Sequence, residues 1–164
     1  MGDEQLVRDV YDASYRRLVV QLLSISGDQA EAEDAVQEAF VKAIAMRAGF
    51  ARLDNPEAWL RVAALNHLRN RWRHTAVARR LLPKVPGPGA PIDLTPDHVA
   101  VVAALQKIPY DLRVVVTLHH IADPATAEIA RQLGIPEGTV KTRLARGRAQ
   151  LAPLLDDSQE TRRV

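Results

Sequence analysis

The sequence predicts an all-α protein made of two small helical domains joined by a proline- and glycine-rich linker. Three observations carry that prediction. Apolar residues recur at i, i+3 and i+4 along most of the chain, which is the spacing of a helix face, and no stretch alternates as a half-buried strand does. Aromatic residues are only 4% of the chain although 47% is hydrophobic, so Ala, Leu and Val fill the core, as in helical proteins rather than β-sandwiches. Finally, "LLPKVPGPGAPIDLTPD" (Leu81–Asp97) gathers five of the ten prolines and two of the eight glycines. Neither a helix nor a central strand survives in that composition.

That stretch reads as a semi-stiff linker over 81–97, between a domain at 1–80 and one at 98–155, with 156–164 as a flexible tail. In the first domain, Leu6, Val10, Ala13, Leu18, Leu22 and Ile25 make a helix over 4–25 that Gly27 stops. The next helix, 28–46, has Asp28 as its cap and a broad stripe of Ala32, Ala35, Val36, Ala39, Phe40, Ala43 and Ile44. "RAGFARLDN" (47–55) reads as a loop. Asn55 as cap, Pro56 at the first helical position and Glu57 in the first turn then start a helix that runs to about His74. Beyond the linker come helices over 97–107, 109–121, 125–133 and 136–151, with Pro109 and Pro136 at helix starts.

Composition removes several functions. There is no cysteine, hence no disulfide framework, thiolate metal site or thiol chemistry. The five histidines (67, 74, 98, 119 and 120) lack metal-ligand spacing, no glycine-rich phosphate loop occurs, and neither a metal nor another cofactor is expected. The apolar runs are far shorter than the ~20 residues of a membrane span, and the start of the chain is acidic where a secretory signal would be basic. A cytoplasmic protein without membrane insertion, and not an enzyme, is the expectation. The net charge of +2 conceals segregation: residues 1–55 carry −4, 56–84 carry +6, 85–125 carry −2 and 126–155 carry +3. Two basic segments separated by acidic ones suit two polyanion contacts, or two solvated helix faces.

Three segments carry specific chemistry. "TAEIARQLGIPEGTVKTRLARGRAQL" (126–151) has the helix–turn–helix arrangement. Ile129, Ala130 and Leu133 face inward, Gly134 permits a left-handed turn, and Ile135 plugs the gap between the helices. Val140, Leu144, Gly147 and Leu151 form the packing face of the second helix, where the small Ala130 and Gly147 allow close approach. Its opposite face carries Thr139, Thr142, Ala145 and Arg146, flanked by Lys141, Arg148 and Arg143. Short hydroxyls and Arg for base edges, with cations for phosphates, are what a major groove requires.

On the helix from Pro56, Leu60, Ala64, Leu65, Leu68 and Trp72 form a buried stripe. Trp59, Val62, Asn66, Arg69, Asn70 and Arg73 line another face, which suits unpaired nucleic acid or is simply solvated arginine. Asp34, Gln37 and Glu38 fall at i, i+3 and i+4, so they make one polar face, either solvated or a protein-docking surface.

Together these segments resemble a sigma factor of the extracytoplasmic function (ECF) class of the sigma-70 family. "AEDAVQEAFVKA" is similar to the region-2 helix that docks on the clamp helices of the polymerase β′ subunit, with Asp34, Gln37 and Glu38 at its polar positions. "NPEAWLRVAALNHLRNRWRH" is similar to the helix that recognises the melted minus-10 element. Asn66 matches its base-contacting asparagine, and the loop around Phe50 matches the place where the family captures a flipped base.

"ALQKIPYDLRVVVTLHHIADPATAEIARQLGIPEGTVKTRLARGRAQL" is similar to region 4, which binds the duplex minus-35 element. The family's contacts there fall on Lys141, Thr142, Ala145 and Arg146. "ADPATAEIA" departs from the glycine-plus-aromatic entry that is usual before this motif, and Ala145 is smaller than the residue often found there. The resemblance implies recruitment of core polymerase through the β′ clamp helices and β flap, and melting of promoter DNA. An anti-sigma factor is a further candidate partner. A stand-alone helix–turn–helix regulator is the alternative. It would explain the C-terminal half but not the region-2 segment.

Overall fold

A computed structural model of the chain describes residues 2–75, 91–122 and 124–163. Among them the backbone is helical with turns. It divides into two compact units, Met1–Pro91 and Ile92–Val164. The part of the linker over 81–90 lies outside the described residues, residues 91–95 are not helical, and Pro96 and Asp97 already belong to a helix.

In the first unit α1 (Asp3–Ser26) ends at Gly27, whose φ of 70° is left-handed and whose N–H donates to the Leu23 carbonyl. Its buried stripe passes through Ser14 rather than the expected Ala13. The Ser14 hydroxyl turns back to the Val10 carbonyl at 2.5 Å, so a polar side chain can be buried without loss. Helix α2 (Gln29–Met46) is capped by Asp28, which accepts from the Glu31 N–H. Ala32, Ala35, Val36, Ala39, Phe40 and Ala43 are buried as expected. Ile44 is not, because it lies about 100° round the helix from Ala43 and falls outside the packed arc.

The expected loop at 47–55 contains one turn of helix, α3 (Ala48–Ala51), entered through Arg47 at a φ of 52°. Helix α4 (Pro56–Thr75) starts where Asn55 Oδ1 accepts from the Ala58 N–H at 3.0 Å. Helix α2 packs on both α1 and α4 and, with α1 against α4, closes the core around Leu18, Leu22, Ile25, Phe50, Leu60 and Leu68. Burying each such side chain contributes roughly 1.5–3 kcal/mol.

In the second unit α5 (Pro96–Leu105) is capped by Thr95, which accepts from the His98 N–H. Arg113 gathers the last carbonyl of this helix and those of the turn after it, its guanidinium donating to Leu105, Gln106 and Ile108 at 2.7, 3.2 and 3.0 Å. A cation at the helix C-terminus stands where this helix has no glycine cap. Helix α6 (Tyr110–Thr117) widens into a π-type turn at Leu118–Ala122. Helix α7 (Thr126–Leu133) ends at Gly134, φ 66°.

Helix α8 (Glu137–Arg163) packs on α5, α6 and α7. It continues through 156–163, where the sequence suggested a flexible tail. The residues beyond Leu151 are mostly tolerant of helix, no glycine interrupts them, and Pro153 is accommodated within the helix. Among the described residues no helix is long and apolar enough to cross a membrane.

Candidate partner and nucleic-acid interfaces

The turn of the helix–turn–helix is a complete left-handed cap. Gly134 N–H donates to the Arg131 carbonyl at 3.3 Å and Ile135 N–H to the Ala130 carbonyl at 3.1 Å, the paired bonds of a Schellman motif. Ile129, Val140, Leu144, Gly147 and Leu151 are buried behind it, as their spacing required, and Leu133 is half-buried. A Cβ on Gly147 would lie 2.4 Å from Val116 Cγ2 and 3.5 Å from the Leu112 carbonyl oxygen, so the glycine sets the distance between α8 and α6.

With that face inward, Lys141, Thr142, Ala145 and Arg146 are exposed, and Thr139 and Arg143 half-exposed. Their engagement differs. Lys141 pairs with Glu137 at 3.6 Å, Arg143 lies 3.9 Å from Asp111, and Thr142 Oγ1 donates to the Gly138 carbonyl at 3.0 Å. The Arg146 side chain has no ion-pair or hydrogen-bond partner among the described residues, so its guanidinium is available to a ligand without first breaking a contact. Arg148 instead donates to His120 Nε2 at 3.2 Å.

On α4, Leu60, Ala64, Leu65 and Leu68 are buried as expected, whereas Trp72 is half-buried and its indole N–H donates to Glu31 Oε2 at 3.2 Å. Asn66, Arg69, Asn70 and Arg73 are exposed, with no side-chain partner among the described residues. Trp59 is partly exposed. Phe50 is not available as a base-stacking residue: it is fully buried, and its ring meets Trp59 edge-on with centroids 5.9 Å apart at 78°. The α3 turn points the backbone so that this aromatic closes the core, which leaves Trp59 as the partly exposed ring at this place.

The Asp34, Gln37 and Glu38 side chains share one face of α2, with Asp34 and Gln37 exposed and Glu38 half-exposed. Two of them are tied to neighbours in a way the spacing did not foretell. The Asp34 carboxylate receives both His67, at 3.2 Å, and Arg71 from α4. Gln37 Nε2 donates to the Tyr15 hydroxyl on α1 at 3.3 Å. The acidic face therefore joins the basic helix on one flank and an aromatic cluster on the other.

A second network lies beneath. Arg61, only 7% exposed, donates through Nε to Gln21 Oε1 at 2.7 Å and lies 3.6 Å from Glu57, which Arg17 grips with two bonds of 2.7 Å. Burial pushes the Arg61 guanidinium pKa down, whereas the Arg17 hydrogen bond holds Glu57 below the ordinary carboxylate value. The Glu57–Arg61 pair follows helical i,i+4 spacing, but the Arg61–Gln21 and Arg17–Glu57 links each join residues 40 apart, which local spacing does not report.

Comparison with known proteins gives a family match within each unit. Residues 10–81 match the family model "Sigma-70 region 2", and residues 98–151 match "Sigma-70, region 4". The chain is 33% identical over 151 residues to the ECF RNA polymerase sigma factor SigL of Mycobacterium tuberculosis, covering 87% of this chain and 85% of that protein. It is 31% identical over 173 residues to the ECF RNA polymerase sigma factor SigW of Bacillus subtilis, covering 95% and 92%. Among solved structures, it is similar to the sigma factor RpoE in complex with the anti-sigma factor NepR from Bartonella quintana. The TM-score is 0.67 at 26% identity, over 93% of this chain and 96% of that one.

Proposed function

The chain belongs to the sigma-70 family as an RNA polymerase sigma factor of the extracytoplasmic function class, and from that premise we propose how its surfaces divide the work of starting transcription. Sigma factors are transcription initiation factors, and this one works by binding and positioning, with no covalent step of its own. Gln37 and Glu38, with Asp34 beside them, dock on the β′ clamp helices of core polymerase. Trp59, Asn66, Arg69, Asn70 and Arg73 hold the unpaired minus-10 strand, where each stacked base contributes roughly 1–3 kcal/mol. Thr139, Lys141, Thr142, Arg143, Ala145 and Arg146 meet the minus-35 duplex, and the phosphate contacts among them make promoter binding fall steeply with salt.

An apolar groove of about 330 Å³ in the second unit, lined by Val101, Leu105, Val116, Leu151 and Leu155, is suited to an apolar helix such as the β flap would present. An anti-sigma factor, the partner held by the similar Bartonella protein, is the proposed regulator.

The observation that carries this reading is the pair of polar and cationic faces on α4 and α8, with Asn66, Arg69, Asn70 and Arg73 on one and Arg146 on the other exposed and without a side-chain partner among the described residues, each within the segment that matches its own sigma region. Arg146→Ala tests it. Loss of one base-reading guanidinium costs about 1–3 kcal/mol, so transcription from a minus-35-dependent promoter should fall roughly 5- to 150-fold while affinity for core polymerase stays unchanged. A variant that loses polymerase binding would contradict the assignment.

A further inference from the structure

We propose that Glu137 is a specificity-determining residue of the minus-35 contact, an acceptor braced in advance to take a hydrogen bond from the exocyclic amine of a cytosine. The inference rests on the minus-35 role assigned to α8 and adds the base that the start of this helix selects.

Glu137 is the first residue of α8, and in a helix–turn–helix the first residues of the second helix are those that reach base edges in the major groove. Its side chain is 45% exposed, yet it is held in place. The hydroxyl of Thr126, the first residue of α7, donates to Glu137 Oε1 at 2.9 Å, so the carboxylate is tied to the other helix of the motif. Lys141 Nζ, one turn along α8, lies 3.6 Å from the same oxygen. Oε2 has no partner among the described residues.

An acidic residue in a first turn often serves its own helix by accepting a backbone N–H. Glu137 accepts none among the described residues, and the Thr139 and Val140 N–H groups bond instead to the Pro136 carbonyl. A carboxylate braced through one oxygen and open at the other is an acceptor of fixed direction. Bracing before binding also removes part of the rotamer entropy that a free glutamate would lose on contact.

The groove chemistry then selects the base. Cytosine presents only a donor, its N4 amine, whereas thymine presents the O4 acceptor, guanine two acceptors, and adenine a donor beside the N7 acceptor. A carboxylate oxygen is attracted by the first and repelled by the acceptors of the others. It therefore discriminates as much by rejecting wrong bases as by holding the right one. The Lys141 ammonium beside Oε1 offsets the repulsion between this carboxylate and the phosphates.

The test uses holoenzyme, the full chain with core polymerase, on a promoter that the chain uses. Each minus-35 base pair is changed in turn to the other three, and thermal unfolding confirms that each variant is folded. With the parent chain, cytosine at one position should be preferred about tenfold over thymine or guanine. Glu137→Ala should erase that preference and leave those at other positions intact. Glu137→Gln should shift it toward adenine, because an amide pairs with both N6 and N7. Thr126→Val should reduce the preference at the same position, and a full preference in that variant would overturn the bracing on which the inference stands. If Glu137→Ala keeps every preference of the parent chain, or lowers binding to all sequences alike, Glu137 serves only its helix and the inference is overturned. Arg146→Ala separates the two levels. Preferences that respond to it alone leave the minus-35 reading intact, and preferences that respond to neither variant overturn that reading too.

Discussion

Arg61 shows what a single residue can demand of a helical core. Its guanidinium is nearly enclosed, and burial lowers its pKa although Glu57 pulls the other way, while its Nε–H donates to Gln21 Oε1. Helical i,i+4 spacing accounts for the Glu57 contact, but nothing in the spacing of α4 calls for the Gln21 acceptor, which is 40 residues away on another helix. Asp34 has the same lesson from the other side, as a residue of an acidic face that proves to be bound by two basic residues of α4. Apolar periodicity reports which side of a helix is buried, and it is silent on which polar pairs a tertiary contact will create.

Glu57 makes this network testable by pH. Its folded pKa is depressed, mainly by the Arg17 hydrogen bond, so the unfolded chain binds more protons near the ordinary carboxylate value. The stability it adds is present above that value and is lost as pH falls through the folded one. Glu57→Gln should therefore lower stability at neutral pH by about 1 kcal/mol and flatten the decline between roughly pH 5 and 3. Urea unfolding over that range measures it. Parallel curves for the two proteins would show that the pair does not contribute.

Among the elements, α8 carries the strongest constraint. Its packed stripe and the Gly134 turn were legible in sequence because both rest on local rules, namely helical spacing and a left-handed glycine. The close approach at Gly147 was legible as a small residue on the packing face, and the structure supplies its partner, Val116. Gly147→Ala should improve helix propensity by up to about 1 kcal/mol, yet the added methyl meets a β-branched side chain fixed in a buried position. Overpacking of that kind costs typically 1–3 kcal/mol, and a net loss of stability in the second unit is the expected outcome by thermal unfolding. A rise in Tm would mean that α6 and α8 separate freely.

Other elements were less legible. The single turn α3 has too few residues for periodicity to register, so a loop is the natural reading of the sequence, and the burial of Phe50 is not legible there. The end of α8 was missed because Pro153 is an ordinary stop signal, and a helix that already has many packed turns can continue past it.

For the whole molecule, charge segregation was the most informative global property, since the two basic segments contain α4 and the α7–α8 pair and the more acidic of the other segments contains α1 and α2. The assignment of function depends on both units acting in one protein. A helix–turn–helix alone would bind duplex DNA, and an acidic helix pair alone would bind a protein, but neither would create a transcription start. The decisive measurement is transcription in vitro with bacterial core polymerase on genomic DNA fragments, with and without the chain. The account predicts new start sites that require the chain and that weaken sharply with Asn66→Ala or Arg146→Ala. Demonstrable DNA binding with no new start site would contradict it.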